Sequence, residues 1–168
     1  MTKKSLGTIF SVFFLATACI AQSTNNLYGK SVQGVQLSIS VSNSVIVVGS
    51  ELVISAEIKN LSTNVIYLSE SSPEMDFNVL LTSDSGKVYK LTPPAVVFTR
   101  LLRTDLKPGE SRDWIIHVGI NKYFEPPSLV ATDKNIEPGD YILKATRHFS
   151  KNNSIFELES NLLKVQIK

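Results

Sequence analysis

Few residues of this chain have the types and spacing that catalysis or metal binding requires. The two histidines, His117 and His148, fall near predicted strands and belong to no His-x-His or His-x-x-x-His pair. Zinc sites combine several imidazole, thiolate or carboxylate ligands, so we interpret both histidines as solvated. The serines match no nucleophile motif, and the sequence has no glycine-rich phosphate loop. The sequence therefore predicts no catalytic residues, no cofactor site and no metal site.

Three carboxylates, Glu70, Glu74 and Asp76, surround the turn-forming Ser71-Ser72-Pro73. Carboxylate oxygens are suitable ligands for calcium, but the alternating acidic positions of a calcium loop are missing. We therefore interpret this cluster as an exposed polar turn.

The one cysteine of the chain, Cys19, follows a segment typical of an export signal. Lys3 and Lys4 precede an apolar stretch, residues 6–15, that is too short to cross a bilayer. Small residues occupy positions 16–18, immediately before the cysteine. With a single cysteine the chain can form no internal disulfide, so its apolar core alone must stabilise it.

Two fates of Cys19 stay open. Signal peptidase could cleave after Ala18 or Ala21, or Cys19 could be lipidated, since the residues before it resemble the recognition site of bacterial lipoproteins. We place the signal peptide at residues 1–21 and a polar, flexible linker at residues 22–34. The predicted location is periplasmic or secreted. The alternative is a lipoprotein that contacts the membrane only through its lipid anchor.

The charge of the exported part excludes some classes of partner. Without the two lysines of the signal, 15 of the 17 basic residues remain against 15 acidic ones. The basic residues from Arg100 to Arg112 are interleaved with acidic residues, as expected of a solvated surface. This balance gives no electrostatic footprint for nucleic acid.

Beyond the linker, apolar and polar residues alternate in short runs separated by turns. The clearest runs are residues 35–41, 113–118, 141–146 and 163–168. A period of two predicts strands with one buried face, and Trp114 falls on the buried phase of its strand. We therefore predict one all-β domain over residues 35–168, an immunoglobulin-like antiparallel β-sandwich of about seven to nine strands.

Two Pro-Gly pairs, Pro108-Gly109 and Pro138-Gly139, stand immediately before predicted strands. Proline presets the first corner of a type II turn, and glycine tolerates the positive φ of the second, so both pairs predict such turns. Tyr141 follows the second pair, where immunoglobulin-like sandwiches have a tyrosine whose hydroxyl bonds to the upstream backbone. An ordinary core position for Tyr141 is equally compatible with the sequence.

These features resemble the immunoglobulin-like domains of the intracellular proteinase inhibitor (BsuPI-type) group and of related exported bacterial domains. The matching segments are residues 58–62, 65–68, 76–79, 86–88, 106–111 and 136–143. The resemblance covers residues 35–168; it implies the fold, and it implies proteinase inhibition as an alternative function. The export signal is a departure from an intracellular group.

The segment with the most promise for binding is residues 119–135, which is long for a loop in a compact sandwich. Its candidate contact residues are Tyr123, Phe124, Pro126, Pro127 and Leu129. Aromatic side chains on a proline-stiffened loop form a low-entropy contact surface, but they could instead fold back to cap the sandwich. A second candidate is residues 93–98, where two prolines exclude a central strand and favour a sheet edge or a crossing between sheets.

Together these features predict an exported, non-enzymatic module that binds a protein or cell-envelope component through end loops or a sheet edge. A proteinase inhibitor is the first alternative, and a lipid-anchored subunit of an envelope assembly is the second. The oligomeric state does not follow from the sequence.

Overall fold

The computed structural model describes residues 27–91, 102–120, 124–125 and 136–168, with the backbone alone at Leu91, Phe124 and Glu125. The predicted signal peptide, Cys19 and residues 93–98 lie outside these ranges, so the conclusions drawn from them stay predictions. Within the described ranges, no helix has the length and apolar character needed to cross a bilayer.

The described residues are almost entirely β-structure, which confirms the predicted all-β class. In chain order the elements are β1 (Val35–Val41), β2 (Val45–Ile46), β3 (Glu51–Asn60), β4 (Ile66–Glu70), α1 (Pro73–Asp76), β5 (Asn78–Ser83), β6 (Val88–Leu91), β7 (Leu102–Leu106), β8 (Ser111–Gly119), β9 (Phe124–Glu125), β10 (Gly139–Lys151), β11 (Ser154–Glu159) and β12 (Leu163–Ile167). These strands outnumber the seven to nine predicted, because β2 and β9 have only two residues each and β11 follows β10 in a tight hairpin.

The smaller sheet has the antiparallel order β1-β3-β8. Its registers place Leu37 opposite Ile58, and Ile54 opposite Ile116. All four side chains are fully buried. Side chains at alternate positions of a strand point to the same face, so the period of two in the sequence gives this sheet one apolar face.

The larger sheet is organised around β10, the longest strand. The first half of β10 pairs with β12 and β5, and its second half pairs with β11 and β4. The sheet continues from β5 through β6 to β9, and from β4 to β7. On its other side, β2 pairs with β12 in parallel, so the larger sheet is mixed, whereas a purely antiparallel one was predicted.

Strands β4 and β5 lie one after the other along the same side of β10. Tyr67 of β4 is opposite Ser150, and Asn78 of β5 is opposite Thr146. Between them, residues 71–77 leave the sheet and form α1, so the ladder is interrupted beside Arg147. This interruption creates the polar cluster described below.

The two sheets share one core, to which both contribute their alternating apolar residues. Trp114 of β8 is buried as predicted, and its ring packs edge-on against Phe77 with 5.5 Å between centroids. Burial of an apolar side chain of this size contributes about 1.5–3 kcal/mol, which a domain without disulfides needs.

The two Pro-Gly pairs differ in conformation. Gly109 has φ 82°, and Glu110 N donates to Lys107 O, so the predicted type II turn forms there. The prediction is wrong at Gly139, which has φ 158° and is already the extended first residue of β10, opposite Ile167. The difference arises because pairing with β12 extends back to the glycine.

The predicted hydrogen bond of Tyr141 is present. Its hydroxyl donates to Glu137 O at 2.6 Å, while its ring is buried and meets Tyr89 edge-on with 6.1 Å between centroids. Burial raises the pKa of Tyr141 to about 12, with smaller contributions from the Tyr89 hydroxyl and the Glu137 carboxylate. Tyr141 therefore connects the start of β10 to the segment before it.

Candidate functional site

The structure describes only part of the predicted binding loop. Phe124 belongs to β9, where its backbone is opposite Leu91 at the edge of the larger sheet. The other candidates, Tyr123, Pro126, Pro127 and Leu129, lie outside the described residues. A binding role for this segment stays a prediction.

The described residues place a different concave surface beside the N-terminal segment, residues 27–34, which we call the strap. Hydrogen bonds attach the strap to the smaller sheet, two of them through Tyr28 and Gly29. Gly29 N donates to Leu37 O at 2.8 Å, and the Tyr28 hydroxyl donates to Glu57 Oε2 at 2.7 Å. The bond from Tyr28 lowers the pKa of Glu57 and raises the pKa of Tyr28. Residues 27–34 of the predicted linker are thus held against β1 and β3.

Gly29 lies where the strap crosses the end of β11. A Cβ atom on Gly29 would lie 1.8 Å from the carbonyl oxygen of Glu159 and 2.6 Å from the carbonyl carbon of Ser160. Such distances are far below van der Waals contact, so only a residue without a side chain fits the crossing. The strap therefore packs directly on the backbone of the larger sheet.

Asn161, in the connection from β11 to β12, closes the edge of β1. Its Oδ1 accepts from Ile39 N at 2.7 Å, and its Nδ2 donates to Ile39 O at 3.1 Å. The side-chain amide thus takes the place of a neighbouring strand at this residue. Together with the bond from Gly29 to Leu37, it satisfies backbone groups that an edge strand would otherwise expose.

The strap, β1 and the connection from β11 to β12 enclose an open groove of about 1030 Å³. Its lining residues are Leu27, Tyr28, Gly29, Lys30, Ser38, Ile39, Ser40, Glu57, Ile142, Ser160, Asn161, Leu162, Leu163 and Lys164. Leu27 is 77% exposed and Leu162 is 64% exposed. Exposed apolar side chains beside a concave surface are typical of binding sites for other molecules.

The polar cluster between β4 and β5 lies beneath α1. Its central residue, Arg147, is only 1% exposed. Its guanidinium carbon is 4.2 Å from the ring centroid of Trp114 and 4.6 Å from that of Phe77. Its Nη2 donates to Ser69 O at 3.1 Å and lies 3.4 Å from Asp76 Oδ2. Burial lowers the pKa of Arg147, and the carboxylates of Asp76 and Glu70 oppose this effect.

The carboxylates of this site are engaged by arginines and serine. Asp76 Oδ1 accepts from Ser71 Oγ at 2.7 Å, and Glu70 forms two contacts of 2.7 and 2.8 Å with Arg112. The side chains of Asp76 and Glu70 are 8% and 12% exposed. The interpretation as an exposed polar turn is therefore wrong for these two acids, because α1 places Asp76 beside Arg147 and Glu70, at the end of β4, contacts Arg112.

The described residues contain no group of three or more histidines, cysteines or carboxylates placed to hold a metal ion. His117 lies on β8 of the smaller sheet, with Nδ1 3.2 Å from Glu51 Oε1, and His148 lies on β10 of the larger sheet. Both side chains are exposed, as predicted.

Asn60, the last residue of β3, joins the two sheets and is completely buried. Its Nδ2 donates to Asn64 O at 2.8 Å and to Leu106 O, in β7, at 2.9 Å. Its Oδ1 accepts from the backbone and the hydroxyl of Ser62 at 3.0 and 2.7 Å. Every polar atom of this amide is therefore paired inside the protein.

Sequence reasoning missed Arg147 and Asn161. The alternation that predicts Tyr141, Leu143 and Ala145 as buried continues to Arg147 and Phe149, which was a usable signal. Asn161 follows β11, a strand not predicted, and its partner Ile39 is 122 residues away. No local pattern indicates such a contact.

No family model and no curated protein matches this chain. Among solved structures, the chain is similar to a β-glucosidase from Listeria innocua (17% identity, TM-score 0.45) over 83% of this chain and 17% of the enzyme. It is also similar to a β-glucosidase from Erythrobacter marinus (14% identity, TM-score 0.45) over 80% of this chain and 15% of the enzyme. A third similarity is to the C-terminal domain of wzt (9% identity, TM-score 0.44), over 83% of this chain and 75% of that domain. The chain thus spans less than a fifth of either glucosidase, and these likenesses assign no activity.

Proposed function

We propose that this chain is an exported, immunoglobulin-like β-sandwich that binds a protein or envelope component without catalysing a reaction. The observation that supports binding is the groove beside the strap, with Leu27 and Leu162 exposed in its lining. Its walls are held by hydrogen bonds from Tyr28, Gly29 and Asn161, so a ligand would meet a pre-formed surface.

The ionisable residues of the groove favour binding over catalysis. They are Tyr28, Lys30, Glu57 and Lys164, and Tyr28 and Glu57 are bonded to each other. Acyl or glycosyl transfer needs a nucleophile beside a base, or two carboxylates facing one bond. With one carboxylate among them, these residues lack the facing pair, and the carboxylate that could serve as a base is already bonded to Tyr28.

The exported location is part of the proposal. Leu27 lies eight residues after Cys19, so a lipid on that cysteine would tether the groove near the membrane surface. Metabolic labelling with a radioactive fatty acid, compared between the wild type and Cys19→Ser, tests the lipid-anchored alternative. A panel of proteases assayed with micromolar protein tests the inhibitor alternative.

The groove itself is tested by photo-crosslinking in the cells that produce the protein. A photoreactive amino acid replaces Leu162 in the groove or, as the matched control, Ile155 on β11, which is 73% exposed and outside the groove. We expect a discrete adduct from position 162 and none of that size from position 155. Equal adduct patterns at both positions would contradict the groove as the contact surface.

A further inference from the structure

We propose that the groove binds an extended polypeptide segment that carries both carboxylates and apolar side chains. This inference rests on the proposed function, because it names the chemistry of the partner that the groove would hold.

The described lining of the groove has a net positive charge. Lys30 and Lys164 are exposed in its lining, and neither has a partner among the described residues. The one carboxylate among the described lining residues, Glu57, accepts a hydrogen bond from the neutral Tyr28 hydroxyl, which lowers its pKa, so it keeps its negative charge. A ligand therefore meets two ammonium groups against one carboxylate, and this positive balance favours acidic over basic partners.

The apolar part of the groove complements this charge. Leu27, Ile142, Leu162 and Leu163 contribute apolar side chains to the same lining as the two lysines. A free carboxylate ion or a phosphate would leave these side chains exposed to water. A segment that places apolar residues between acidic ones covers both kinds of surface.

The shape favours a polypeptide over a membrane surface. A volume of about 1030 Å³ exceeds what one side chain fills, and the groove is concave, whereas a bilayer is flat on this scale. The edge of β1 is closed at Ile39 by Asn161, so the segment would bind through its side chains rather than as an added strand.

The test uses fluorescein-labelled ten-residue peptides and the protein that begins after residue 21. The probe alternates leucine and glutamate; its comparisons replace glutamate by lysine or leucine by serine. We expect fluorescence polarisation to show that the Leu/Glu peptide binds at least tenfold more tightly than either comparison. Its affinity should fall as salt is added, since exposed ionic contacts are screened.

Matched variants locate the binding. Lys30→Gln and Lys164→Gln should each weaken the Leu/Glu peptide roughly two- to fivefold, the range of an exposed ionic contact, whereas Lys107→Gln in the turn before β8 should not. Leu162→Ser should weaken binding as well, whereas Ile155→Ser on β11 should leave it unchanged. All five positions are exposed, and circular dichroism checks that each variant folds.

Equal binding of the Leu/Glu and Leu/Lys peptides, or equal effects of the groove and control variants, would overturn the inference. Sedimentation with phosphatidylglycerol vesicles is the second arm. Vesicle binding that requires Lys30 and Lys164, without peptide binding, would overturn it in favour of an anionic lipid surface. A crosslinked partner at position 162 together with failure of the acidic peptide would reject this inference while leaving the proposed binding function in place.

Discussion

The side-chain amide of Asn161 pairs with both backbone groups of Ile39, although Ile39 lies in the smaller sheet and Asn161 lies between two strands of the larger sheet. Its oxygen accepts from Ile39 N at 2.7 Å, and its nitrogen donates to Ile39 O at 3.1 Å. One residue thereby joins the edge of the smaller sheet to the connection that precedes β12. It also forms one wall of the proposed binding groove.

Replacing Asn161 should open the edge of β1. Asn161→Ala removes both bonds to Ile39 and should lower the free energy of unfolding by about 1–3 kcal/mol. It should also increase self-association, because an exposed edge strand pairs with other chains. Urea unfolding and light scattering measure the two effects. Asn161→Asp keeps the acceptor but loses the donor, so an effect as large as that of alanine would place the main contribution on the bond to Ile39 O.

Tyr141 predicts a loss of stability in strong base. Its pKa is about 12 in the folded protein, whereas an unfolded tyrosine titrates near 10. The folded state therefore binds the proton more tightly, and this stabilisation is complete below pH 10 and is lost as pH rises towards 12. The wild type should lose about 2–3 kcal/mol more than Tyr141→Phe over this range. Urea unfolding at pH 9 and pH 12 measures the difference, and parallel losses in the two proteins would contradict it.

Arg147 and Asp76 should depend on each other. Arg147→Met leaves the carboxylate of Asp76 buried without its cation, which should cost about 3–5 kcal/mol. Asp76→Asn in the same chain keeps an acceptor for Ser71 and removes the uncompensated charge, so it should restore part of the loss. A double-mutant cycle by urea unfolding measures the coupling. Additive effects of the two substitutions would show that the ion pair is energetically unimportant.

Gly29→Ala should displace the strap. The new methyl group cannot lie 1.8 Å from Glu159 O, so the strap must move and Tyr28 should lose its bond to Glu57. The pKa of Glu57 should then rise towards its ordinary value, as a carbon-13 titration of the side-chain carboxyl would show. Gly49→Ala is the control: its φ is 85° and its Cβ would meet nothing within 4 Å. It should strain its turn without moving the pKa of Glu57.

The alternation of apolar residues predicts the faces of the strands well because it reflects a local geometry. Trp114, Ile116 and Val118 are buried as the sequence indicates. The alternation along β10 likewise includes Arg147. The burial of this arginine depends on Asp76, which is 71 residues away and is brought there by α1. The pattern along one strand cannot indicate that a distant carboxylate will compensate the buried charge of Arg147.

The groove was harder to foresee than the fold. The composition of residues 22–34 indicates a polar segment, but the backbone atoms it contacts belong to Leu37, Glu159 and Ser160. Asn161 likewise has an ordinary sequence environment and a distant partner. The sites that join the two sheets arise from tertiary contacts, and these carry no period in the sequence.

The burial of Asn60 has a consequence for how the protein can be produced. Asn60-Leu61-Ser62 matches the acceptor pattern for N-linked sugar, as does Asn152-Asn153-Ser154. A glycan attached to the nascent chain at Asn60 would prevent the amide from reaching Leu106 O, whereas Asn152 is exposed in the hairpin before β11 and can carry one. Secretion from a eukaryotic host should therefore yield misfolded material unless Ser62 is replaced, while bacterial expression should avoid this failure.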